Sequence, residues 1–161
     1  MDWKHVFLSP NGRIGQGQYW LGILILVIAW VLSHLFHIFA PLIWLLLIYP
    51  WVCVIAKRLH DFGKSGFFIL LPFLVGAVLV TAAVMFGGLG AFGAIMTMLT
   101  QGTEPASWTA FFAGLGIMLA CLALAGIVKL IFLLWVGLAP GDPGPNAYGP
   151  PMTVSTTPPV V

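Results

Sequence analysis

Charge is what this chain has least of. Only 6% of its 161 residues are charged, six basic and four acidic, for a net charge of +2. A soluble domain carries roughly 25%, so the deficit excludes an ordinary globular domain. Disorder is excluded as well, because a disordered chain combines low hydrophobicity with high charge, and 61% of these residues are hydrophobic. The few basic residues are scattered at the edges of apolar runs and form no nucleic-acid face. Cysteine is nearly absent. Cys53 and Cys121 fall inside apolar runs without C-x-x-C spacing and read as buried thiols. No complete catalytic constellation occurs, so no residue is assigned as catalytic, and no cofactor or metal is implied.

What is present is long, uninterrupted apolar sequence. Runs of ~20 residues are the length needed to cross a ~30 Å hydrocarbon core as helix, whereas a membrane β-barrel alternates over segments of about ten residues. The pattern predicts an all-α polytopic membrane protein, a four-transmembrane-helix bundle with spans near 19–39, 41–56, 67–86 and 108–135. Tyr19-Trp20 anchors the first span at the interface. That span is too long for a signal-peptide core and has no small-x-small cleavage site, so it is expected to stay in the membrane. Ala40-Pro41 breaks it and opens the second helix, which predicts an antiparallel hairpin. Pro50 should kink the second span, and Lys57 and Arg58 at its end should snorkel to water.

Three regions follow. Residues 1–18 form a cytoplasmic or interfacial N-terminal segment, with Trp3, Val6 and Phe7 on one helical face and Lys4 and His5 off it. Residues 19–136 form the transmembrane domain. Residues 137–161 are rich in Pro, Gly and Thr and read as a disordered cytoplasmic tail. Between helices three and four lies an extra short Gly-rich apolar segment, 87–100. Joined to the third span it makes a run of roughly 34 residues, or ~50 Å of helix, too long for one crossing. A re-entrant pore loop, a packing turn on the outer leaflet and a helix extension all remain open for it. His34 and His37 lie one turn apart with no Asp, Glu or Cys beside them, which favours interfacial histidines over a metal site. Lys129, inside the fourth span, is either an intramembrane charge serving transport or a lysine that snorkels out.

The basic residues fix an orientation. Lys4 and Arg13 precede span one, Lys57, Arg58 and Lys64 join spans two and three, and Lys129 is near the exit of span four. The opposite side carries Glu104 and no basic residue. The positive-inside rule then places both termini and the central loop in the cytoplasm.

Three local patterns occur together. Gly12-Arg13 is followed by Tyr19-Trp20 ahead of span one. Arg58-Leu59-His60-Asp61-x-Gly63-Lys64-Ser65-Gly66 joins spans two and three. Gly144-Pro145-Asn146-x-Tyr148-Gly149 follows the last span. Over roughly residues 7–150 the chain resembles the bacterial inner-membrane family called "domain of unknown function 805". That family usually carries a second arginine where this chain has Gln16, and often opens the central motif with two arginines where this chain has Lys57-Arg58. The resemblance implies a small helical protein of a bacterial inner membrane and implies no activity.

The three patterns share the cytoplasmic face in this arrangement. Arg13, Lys57, Arg58, His60, Asp61 and Lys64 are the candidate lipid- or phosphate-binding residues, because a guanidinium offers paired hydrogen bonds to phosphate and each cation near an anionic leaflet gains ~1 kcal/mol. Tyr19, Trp20, Gly63, Ser65, Gly66, Asn146, Tyr148 and Gly149 are the candidate structural positions, with Gly63 as a helix cap and Ser65 opening the next helix. The favoured reading is a structural or interaction protein whose motif ties helix ends and meets anionic membrane lipids. The alternatives are a small transporter or channel subunit, and a membrane enzyme acting on a lipid phosphate through His60-Asp61. Assembly with copies of itself or with another membrane protein stays open.

Overall fold

A computed structural model describes residues 3–151. Among them the fold is all-α, with no strand. Four helices are long and apolar enough to cross a membrane: Gln16–Phe36, Ala40–Asp61, Gly66–Gln101 and Pro105–Leu138. The chain divides into two compact units. One holds the chain up to Ile69 and from Leu134 onward; the other holds Leu70–Leu133.

In the first unit, helix α1 (Trp3–Leu8) is followed by α2 (Gln16–Ser33) and α3 (Ala40–Asp61). A 3₁₀ turn at His34–Phe36 and Pro41 in the first turn of α3 reverse the chain between them. Proline suits that position because its missing N–H would have no partner there anyway. Gly22 lets α3 come close: a Cβ on it would sit 3.3 Å from the Val54 side chain. Val6 of α1 is buried, and Tyr49 on α3 donates to the Leu8 carbonyl at 2.9 Å. Helix α3 runs on through Pro50 to Asp61 and is longer than the expected span. Lys57 and Arg58 do not snorkel to water from its end. They are 0% and 1% exposed, because carbonyl oxygens of neighbouring segments take their donors.

In the second unit, α4 (Leu70–Ala82) passes through a π-helical turn at Ala83–Gly88 into α5 (Leu89–Gln101). The Gly-rich segment is therefore a helical extension of the third span, not a re-entrant loop. One of its glycines serves close packing. A Cβ on Gly87 would sit 2.7 Å from the Gly114 carbonyl oxygen and the Met118 nitrogen, so only a glycine admits this crossing with α6 (Pro105–Leu138). Gly102, at φ 91°, ends α5, and Pro105 opens α6. The apolar side chains of both units are largely exposed, as expected of surfaces that face lipid.

Candidate functional site

The C-terminal end of α3 is closed by glycine. Gly63 has φ 71°. The Lys64 N–H donates to the Leu59 carbonyl at 2.9 Å and the Gly63 N–H to the His60 carbonyl at 3.1 Å. This pair of bonds needs a left-handed residue. Ser65 Oγ then accepts the Phe67 N–H at 3.3 Å and starts the 3₁₀ turn Gly66–Ile69. Gly66 lies against Ala56 and the His60 ring.

Asp61, at the end of α3, stands between two arginines. Its Oδ1 accepts from Arg13 Nε at 3.1 Å and its Oδ2 accepts from Arg58 Nη1. The arginine side chains are 1% exposed and the carboxylate 5%. Removing three charges from water is costly unless every donor and acceptor finds a partner. Arg13 meets that condition in full. A guanidinium has five N–H groups. Nη2 donates to the carbonyls of Asp61 at 2.9 Å and Asp142 at 2.7 Å, and Nη1 to those of Gly144 at 2.9 Å and Gly149 at 3.3 Å. With Nε on the Asp61 carboxylate, all five are used inside the protein. Arg58 donates from Nε to the Val136 carbonyl at 3.2 Å and from Nη2 to the Ala139 carbonyl. Gln16 Nε2 donates to the Leu138 carbonyl at 3.1 Å. Arg58 and Gln16 together thus cap the last carbonyls of α6, where the helix dipole favours a cation.

The segment after α6 closes the site. This is the start of the stretch expected to be a disordered tail, and up to Gly149 it is fixed by contact with the helix ends. Asn146 and Gly149 exchange backbone bonds at 3.1 Å across a tight turn. Asn146 Nδ2 donates to the His60 carbonyl and to Asp142 Oδ2, both at 2.9 Å, while its Oδ1 accepts the Tyr148 N–H. The Tyr148 ring stacks on His60 with centroids 3.8 Å apart and planes 2° from parallel. His60 Nδ1 faces the Gly12 carbonyl at 3.2 Å; a carbonyl only accepts, so Nδ1 carries the hydrogen. The Asp142 N–H donates to the Asp61 carbonyl at 2.8 Å. A side chain at Gly141 would overlap the Asp61 carboxylate, and one at Gly137 would overlap the Tyr19 and Trp20 rings. Tyr19 is fully buried and meets Trp20 edge to face.

Of the residues singled out from sequence, Arg13, Arg58, His60, Asp61, Asn146, Tyr148 and Gly149 therefore converge. Lys57 belongs to a neighbouring contact: its Nζ donates to the carbonyls of His5 and, at 2.7 Å, Val6, pinning α1 to α3. Lys64 is exposed and stands outside the cluster. Asp142, Gly141, Gly137 and the α6 carbonyls were not singled out. The available signal was Asp142 itself, one of only four acidic residues, set among Gly and Pro next to a recognisable motif.

The other candidates lie elsewhere. His34 Nδ1 faces the Trp30 carbonyl at 3.0 Å, and its ring sits near both Trp30 and Trp44; His37 is exposed. Among the described residues no three His, Cys, Asp or Glu side chains are grouped to hold a metal. In the second unit Lys129 is exposed, with its Nζ 6.0 Å from the Phe73 ring centre and its chain beside Gly76.

A family model described as "Protein of unknown function (DUF805)" matches residues 7–150. No curated protein and no solved structure matches the chain.

Proposed function

The chain belongs to the DUF805 family of proteins of unknown function, and from that premise we propose that it is an architectural membrane protein whose three sequence motifs work as one clasp. The observation that carries this reading is the use of all five Arg13 N–H groups on Asp61 and on the segment 142–149. Arg13 comes from the N-terminal motif, Asp61 from the central one, and the accepting carbonyls from and beside the last. A catalytic or transport group needs a free valence for its substrate. A clasp needs the opposite, and Arg13 has none left.

The clasp sits in the inner membrane of a bacterium, on the cytoplasmic side, with both termini on that side. The positive-inside bias of Lys4, Arg13, Lys57, Arg58 and Lys64 supports that orientation. Lys64, exposed at its edge, supplies the attraction for anionic head groups, ~1 kcal/mol. By holding the ends of α2, α3 and α6 together, the clasp presents a rigid, largely neutral cap for lipids or another membrane protein.

The test is backbone hydrogen exchange on the purified protein with Arg13→Gln. The amides of Asp142, Asn146 and Gly149, which are hydrogen-bonded in the clasp, should lose protection while the middle of α2 and α3 keeps it. Unchanged protection at those three amides would reject the clasp.

A further inference from the structure

The second unit carries a cation inside its span. Lys129 lies about nine residues, or ~13 Å of helix, before the end of α6. The most apolar stretch of that helix is only 6% buried, and Lys129 itself is exposed. Two contacts fix the depth of its head. A Cβ on Gly76 would meet Lys129 Cε at 3.5 Å, and Nζ is 6.0 Å from the Phe73 ring centre. Phe73 and Gly76 stand roughly 10–15 Å along the helix Gly66–Gln101 from its Gly66 end. Exposed apolar side chains continue past this level on both helices, with Phe67, Phe68 and Leu71 on one and Ile131, Leu134 and Leu138 on the other. The ammonium, and not only the backbone that carries it, is thus at hydrocarbon depth.

A charge there is costly. One aromatic face at 6.0 Å returns only part of the lost hydration. A carboxylate at the same depth returns more, because an ion pair strengthens as the dielectric falls. We propose that this face of α6 receives a transmembrane helix of another membrane protein, whose Asp or Glu side chain pairs with Lys129. The partner's backbone has room to approach: a Cβ at Gly126, one turn before Lys129, meets nothing within 4 Å. A second copy of this chain does not fit. Two Lys129 ammonium groups repel each other. Of the chain's four acidic residues, Asp2, Glu104 and Asp142 fall outside the four apolar helices, and Asp61, at the end of one, is held by two arginines. A lipid phosphate fits less well, because it must be drawn inward past the outer apolar residues, and that thins the bilayer locally. The proposal goes beyond the clasp and needs only the membrane crossing.

The experiment places the full chain, labelled with a fluorescent donor, in phosphatidylcholine liposomes with acceptor-labelled model transmembrane helices of leucine and alanine. One helix carries a glutamate about ten residues from one end. A second carries glutamine at that position, and a third carries the glutamate in its last turn. Energy transfer should show the first helix bound about tenfold more tightly than the second, the worth of one charge-assisted hydrogen bond. The third should bind no better than the second. Lys129→Arg should keep the preference and Lys129→Met should lose it. The wild-type comparison stands on its own where a variant folds poorly. Equal binding of all the helices to wild type overturns the proposal, as does a preference that persists in folded Lys129→Met. Bilayers containing phosphatidylglycerol test the lipid. If that lipid abolishes the preference, and native mass spectrometry finds it retained by wild type and not by Lys129→Met, the occupant is a head group and the proposal fails. Hydrogen exchange at the Asp142, Asn146 and Gly149 amides should be unchanged in Lys129→Met, so failure of this surface and failure of the clasp are distinct results.

Discussion

Arg13 and Asp61, 48 positions apart, are joined twice: Arg13 Nε reaches the Asp61 carboxylate at 3.1 Å and Arg13 Nη2 reaches the Asp61 carbonyl at 2.9 Å. One residue is thus read by side chain and main chain at once. The geometry suits a planar fork and not a single point charge.

Arg13→Lys should therefore fail to restore the clasp. An ammonium has three donors and no fork, so carbonyls of the 142–149 segment lose their partner. A loss of about 2 kcal/mol is expected relative to wild type. Thermal unfolding in detergent reads it, and a wild-type midpoint would show that charge alone suffices.

Asp61→Asn leaves two buried arginines without their counter-charge. Breaking such a group from one side costs about 3–5 kcal/mol. The variant should accumulate poorly in membranes and unfold well below wild type, while Lys64→Ala, at an exposed position, should change the midpoint little.

Gly63→Ala meets two obstacles. The left-handed backbone at φ 71° costs a side chain about 1–2 kcal/mol. The new Cβ would also lie 2.9 Å from the Asp142 carboxylate, so the segment beyond α6 must shift. The expected result is a lower unfolding midpoint together with faster proteolysis between residues 139 and 151. Loss of stability without new cleavage would mean that Asp142 moves aside on its own.

The orientation has a direct check. In intact cells, an impermeant thiol reagent should label a chain carrying Glu104→Cys and should label one carrying Lys64→Cys only after lysis. The reverse pattern would place the clasp outside.

The four spans were legible because membrane crossing is written in composition and length, and both need only local sequence. The left-handed turn at Gly63 was legible for the same reason, since a glycine after a helix-length run is a local signal. The burial of Lys57 and Arg58 was not. Whether a long cation snorkels or folds inward depends on carbonyls supplied by α1 and by the end of α6, far away in sequence. The segment after α6 misled for a related reason. Pro and Gly argue against a core, but a chain can also be fixed by offering carbonyls to an arginine, and composition does not register that. In the 87–100 segment the glycines left a re-entrant loop, a packing turn and a helix extension open, and the choice lay with a distant partner: Gly87 and Gly114 bring two helices into backbone contact.

The most direct test of the clasp is a double-mutant cycle on Arg13→Gln and Asp61→Asn, read by unfolding free energy in one detergent. If the two residues act as one unit, the double variant should be about as stable as the weaker single variant, with a coupling of roughly 2–3 kcal/mol. Additive losses, with coupling within about 0.5 kcal/mol of zero, would contradict it and leave Arg13 and Asp61 as separate contributors to stability.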